Sequence, residues 1–176
     1  MHALGIQNLY LGGSSIGGQI ALTCAALHPA EIKNLWLLDP AGVWSAPESE
    51  LQKIIGETGK NPLMSRNEDE FAATFNFVMN DPPCIPRPML NAMSRGRIRN
   101  FDLEERIFTQ VKADSVEQRV TGMTIPALIV WGVKDRALSV ESAEILHKIM
   151  PKPQVIIMPD IGHLPMIENP QRSAED

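Results

Sequence analysis

Cysteine is nearly absent: 176 residues hold two, Cys24 and Cys84. Two thiols make neither a disulfide framework nor a four-ligand zinc set, and no spacing of His, Cys and acids suggests a metal site. Positive charge is in deficit, with 16 Lys and Arg against 21 Asp and Glu, a net charge of −5. That excludes a general polyanion binder, so no nucleic-acid partner is expected. No apolar run approaches the ~20 residues of a membrane span. Met1-His2-Ala3-Leu4 has no basic region and no long apolar stretch behind it, so no signal peptide is visible. The phosphate-cradling pattern G-x-x-x-x-G-K is missing too. What remains, 44% hydrophobic and 21% charged residues, is the composition of a globular domain with a real core.

Four short apolar runs stand out: Asn8–Leu11 closed by Gly12-Gly13, Leu35–Leu38 closed by Asp39-Pro40, Ala127–Trp131 closed by Gly132, and Val155–Met158 closed by Pro159. Unbroken apolar runs, unlike alternating ones, predict strands of a parallel sheet covered on both faces. Helices are expected between them. One spans Gly17–Leu27 and stops at His28, because Pro29 disfavours helical backbone before it. Another spans about 140–150, with Ser139 as N-cap and Pro151 beyond its end. Strand–helix–strand at both ends of the chain defines an α/β class.

The middle, residues 44–122, holds no good strand. Asn67 to Glu70 and Asp102 to Glu105 read as capping boxes ahead of helical apolar spacing. All five phenylalanines (Phe71, Phe75, Phe77, Phe101, Phe108) fall here. We expect core segments at 1–43 and 123–176 and a helical cap over 44–122, with Met64, Met79, Met89 and Met93 adding adaptable apolar surface. Arg95, Arg97 and Arg99 read as a solvated or carboxylate-pairing face.

The strongest chemical signal is Gly13-Ser14-Ser15-Ile16-Gly17, a G-x-S-x-G pattern between a predicted strand and a predicted helix. Such a turn is tight, so small residues are expected two positions either side of Ser15. Ser15 would project at the positive helix end, with the Ile16 N–H aimed where an oxyanion forms. Ser14 fails the pattern, since Ile16 is not Gly. Serine needs a base. Among four histidines, His2 is terminal, His28 sits at a helix end, and His147 lies within a helix. His163 follows the last strand, where sites of parallel sheets lie. A carboxylate should hold the imidazole. Asp135 follows the third strand, with Asp39 and Asp160 as the alternatives.

Gly13 to Gly18, Ile129 to Arg136 and Asp160 to His163 together resemble the C-terminal part of an α/β-hydrolase. Lys33 to Ser45 and Phe77 to Pro86 are similar to bacterial lipases of the family V esterase group. The resemblance implies an α/β-hydrolase fold, partial here because strands ahead of Asn8 are not in the chain. It implies hydrolysis of carboxylic esters or lipids through an acyl-enzyme, without a cofactor. It carries over as Ser15 nucleophile, Asp135 orienting acid, His163 base and Ile16 N–H in the oxyanion hole.

Two departures matter. The loop after the third strand of the fold, which supplies a second oxyanion donor, has no counterpart here. Position 14 is Ser where relatives often carry His or Asn. The strand at 8–11 is also expected to have an unpaired edge, which self-association or an N-terminal remainder would cover. The alternatives are a carbon–carbon bond hydrolase of the same fold and a catalytically silent module.

Overall fold

The computed structural model describes residues 5, 6 and 8–175. Four strands form one sheet among them: β1 (Leu9–Ser14), β2 (Ile32–Leu38), β3 (Ala127–Gly132) and β4 (Pro153–Met158). They lie side by side in chain order, every neighbouring pair parallel. α1 (Ile16–Leu27) connects β1 to β2, and α7 (Glu141–Ile149) connects β3 to β4. Between β2 and β3 lie α2 (Glu50–Thr58), α3 (Glu68–Val78), α4 (Arg87–Arg99), α5 (Phe101–Lys112) and α6 (Glu117–Val120). The chain closes with α8 (Pro165–Glu168) and α9 (Pro170–Glu175). No described helix is long and apolar enough to cross a membrane.

The four apolar runs lie in the four strands, with corrections at the glycines: Gly132 is the last residue of β3, paired with Met158. Gly12 and Gly13 continue β1 and do not end it, pairing in register with Trp36 and Leu37. Glycine's turn preference yields to a ladder with β2 on one side. Alternate strand residues, such as Leu37, Ile129 and Trp131, build the main core with Leu22 of α1 and Leu146 of α7. On the opposite face Leu38, Val130 and Met158 form a smaller cluster, backed by Ile161 and Met166. Toward β1 that second face is open: Tyr10 is 78% exposed and Trp36 41%. β1 pairs only with β2 among the described residues, so its other edge is free.

The middle is helical, as expected from its lack of strand pattern. Phe75, Phe77, Val78 and Leu51 form their own cluster, whereas Val120 of α6 joins the main core. Caps differ in detail. Asn67 caps α3, its carboxamide oxygen accepting from Glu70 N at 2.9 Å, but Glu70 accepts from Arg66 N and not from Asn67. Asp102 lies inside α5, which starts at Phe101 because Asn100 already ends α4. The full capping box is Ser49 with Gln52 at the start of α2, a pair the apolar pattern did not point to. Ser139 is not the N-cap of α7: Val140 occupies that place, and Ser139 Oγ donates to Glu141 Oε2 at 2.5 Å.

Candidate active site

β1 passes into α1 through Ser15, at φ 53° and ψ −122°. Positive φ in a residue with a Cβ is strained and persists only where the surroundings impose it. Here they do. Ser15 N donates to Leu38 O at 3.0 Å, while Ser15 O accepts from Gly18 N at 2.9 Å and from Ala41 N at 2.9 Å. β2 and the first turn of α1 thus hold the residue between them. Gly13 is required by close approach, since a Cβ there would stand 2.2 Å from Gly17 O. Gly17 is not required in the same sense, because its own Cβ would point into open space. The constraint is one-sided: Gly17 contributes its backbone to the crossing. Because α1 begins at Ile16, the Ile16 N–H has no intrahelical acceptor and sits at the positive helix end. Ser14 is the last residue of β1, paired with Leu38.

Asp135 and His163 come from the loops after β3 and β4. The loops touch backbone to backbone: a Cβ on Gly132 would lie 2.1 Å from Gly162 O. That approach brings His163 Nδ1 to 2.7 Å from Asp135 Oδ2. The other carboxylate oxygen, Oδ1, accepts from Ala137 N at 2.7 Å and Leu138 N at 3.0 Å. With both oxygens engaged, the carboxylate has one orientation, and Nδ1 carries the proton it donates. His163 N donates to Val78 O at 2.7 Å, which fixes the loop to the end of α3.

Ser15 and His163 line one cavity of about 430 Å³ beneath the helices of the middle segment. Phe71, Phe75, Val78, Phe108 and Leu164 make its wall largely apolar. Among the described residues no hydrogen bond joins Ser15 to His163; such contacts commonly tighten only with substrate present. Arg97 lines the same cavity and pairs with Glu104 at 2.9 Å, so of the three clustered arginines it is a carboxylate partner.

The alternatives separate clearly. Asp160 stays exposed, and its backbone carbonyl accepts from Asn80 Nδ2 at 3.0 Å. Asp39 is fully buried and close by: one carboxylate oxygen each from Asp39 and Asp135 and a ring nitrogen of His163 lie within 4.8 Å of one another. Burial first, and then the charge of Asp135, push its carboxyl well above the usual carboxylate range. His28 faces Glu31 at 3.7 Å, and His147 is exposed on α7. His2 lies outside the described residues.

Glu168 escaped the sequence reading. Its carboxylate accepts from Gly162 N at 2.7 Å, Asn80 N at 2.8 Å and Asp81 N at 2.9 Å. It ties the histidine loop to the segment after α3. No local pattern separates it from the other acids of the chain.

Residues 1–80 match the family described as "alpha/beta hydrolase fold". Lipase 3 of Moraxella sp. (strain TA144) is 40% identical over 183 residues, taking in 100% of this chain and 57% of that protein. Lipase 1 of Psychrobacter immobilis is 38% identical over 176 residues, taking in 97% and 54%. A solved structure, of a membrane phospholipase A described as a novel bacterial virulence factor, superposes with a TM-score of 0.92 at 35% identity, covering 99% of this chain and 56% of that one. The fold is that of the α/β-hydrolases, a parallel sheet with helices. The chain is similar to lipases over nearly its whole length, and spans about half the length of the curated relatives it matches.

Proposed function

We propose that the protein is a serine hydrolase of carboxylic esters, lipids among them, acting through an acyl-enzyme on Ser15. Ser15 Oγ attacks the ester carbonyl carbon while His163 Nε2 takes its proton. The developing oxyanion is met by the Ile16 N–H. His163 then returns the proton to the departing alcohol, leaving Ser15 acylated. Water attacks the acyl carbon, His163 again accepts a proton, and the acid is released. Asp135 holds the ring and stabilises the imidazolium.

The observation that carries this reading is the common cavity. A strained serine at a helix start and a buried histidine, already paired through its far nitrogen, face one apolar space. Apolar walls suit an acyl chain. The division into core (1–43 and 123–176) and cap (44–122) belongs to the same proposal, the cap supplying α3 and α5 to that wall. So does a cover for the free β1 edge and the open face at Tyr10 and Trp36: the upstream part of a longer polypeptide, or a second copy of the chain.

A fluorophosphonate probe tests it. Labelling of the protein that Ser15→Ala abolishes, together with release of acid from a short acyl ester, is the expected result. A protein that stays unlabelled and hydrolyses no ester rules the reading out.

A further inference from the structure

Two carboxyls, not one, stand behind His163. Asp39 sits at the end of β2 with φ 42°, a backbone region that costs energy in a residue other than glycine. Asp39 N donates to Val130 O at 2.9 Å, and Gly132 N donates to Asp39 Oδ1 at 2.9 Å. Asp39 Oδ2 is buried with no hydrogen-bond partner. Three donors serve Asp135, namely His163 Nδ1 and two backbone N–H groups, whereas Asp39 receives one. The titratable groups facing Asp39 are Asp135 from the loop after β3, His163 from the loop after β4 and Glu168 from α8. Two are acids.

Two buried carboxylates this close do not both ionise. The proton stays on the one with fewer donors. We infer that Asp39 is a neutral acid that donates its proton to Asp135, and that it is a positioning residue for the Asp135–His163 pair. The proton supplies the partner that Asp39 Oδ2 otherwise lacks. It also keeps a second negative charge away from the imidazole. The direction of the Asp39 shift agrees with this arrangement. The inference rests on the hydrolase reading for its kinetic consequence but not for the protonation state itself.

The test has two arms. In the first, infrared spectra of the full chain at neutral pH are compared with those of Asp39→Asn. The carbonyl stretch of a protonated carboxylic acid is expected in the native protein and absent in the variant. Should the variant fail to fold, titration of the native band decides: its absence at neutral pH overturns the inference. In the second, pH profiles of kcat/KM are measured for the native protein, Asp39→Asn and Asp39→Leu. Leucine removes the donor, and a loss of about 10–100-fold is expected, the scale of one hydrogen bond to a charged group. Asparagine keeps a donor, so it should retain more activity than leucine, with the acid limb where the native protein has it. Equal losses in both variants, or an acid limb moved to lower pH in Asp39→Asn, would mean that Asp39 is an anion or a packing residue. The infrared arm needs no turnover. A protein that hydrolyses no ester but shows the band therefore defeats the proposed function and leaves this inference standing.

Discussion

His163 Nδ1 stands 2.7 Å from Asp135 Oδ2, and both side chains are shut away from solvent, 5% and 0% exposed. A buried pair at this distance fixes one tautomer, the one with its proton toward Asp135, and leaves Nε2 able to accept. Burial also strengthens the pair once the ring is protonated.

On the proposed function, Asp135→Asn is expected to reduce ester turnover by about 10⁴-fold, because an amide favours the wrong tautomer while leaving the geometry intact. Steady-state kinetics on the full chain provide the check, and a loss confined to KM would contradict it.

Glu168→Ala removes the acceptor of three backbone N–H groups, from Gly162, Asn80 and Asp81. A destabilisation of about 1 kcal/mol is expected, carried by the buried Gly162, since Asn80 and Asp81 are exposed and water can replace their partner. Urea unfolding measures it. kcat should fall as well, because the loop that carries His163 is released from the segment after α3. Unchanged unfolding midpoints would show that water replaces the carboxylate at no cost.

Gly13→Ala puts a methyl group 2.2 Å from Gly17 O. Backbone on both sides leaves nothing to yield, so the cost should exceed the ~1–3 kcal/mol typical of overpacking. Loss of fluorophosphonate labelling at Ser15 and a lowered Tm are expected. Gly17→Ala meets no such obstacle and should lose only a small part of that stability.

Stability and pH are linked through Asp39. Its carboxyl holds a proton more tightly in the folded chain than in the unfolded one. The stabilisation from this group is complete below about pH 4, its ordinary range, and is lost as pH rises through the raised folded value. Asp39→Asn removes that dependence. Its Tm relative to the native protein should accordingly be higher at pH 8 than at pH 5, by thermal unfolding at both. The reverse order would mean that Asp39 is ionised in the folded state.

The fold class and the tight turn at Ser15 were legible in the sequence because they are local. Apolar runs of strand length mark a parallel sheet, and Gly13 ahead of Ser15 marks a crossing too tight for a side chain. Helix starts were read less well. Asp102 has a capping pattern, but α4 ends at Asn100 and takes the boundary with it. Glu168 was invisible, since its partners lie six and more than eighty positions away.

By itself the chain determined which residue types could do chemistry and the order in which they arrive: serine first, acids after the second and third strands, histidine after the fourth. Tertiary structure alone set which acid meets the imidazole. Gly132 and Gly162 let two loops cross backbone to backbone, and that crossing sets Asp135 against the imidazole while Asp39 stays buried behind it. Distance in space, not distance along the polymer, controls which carboxyl keeps its proton, because charge repulsion and desolvation act only once the groups have met.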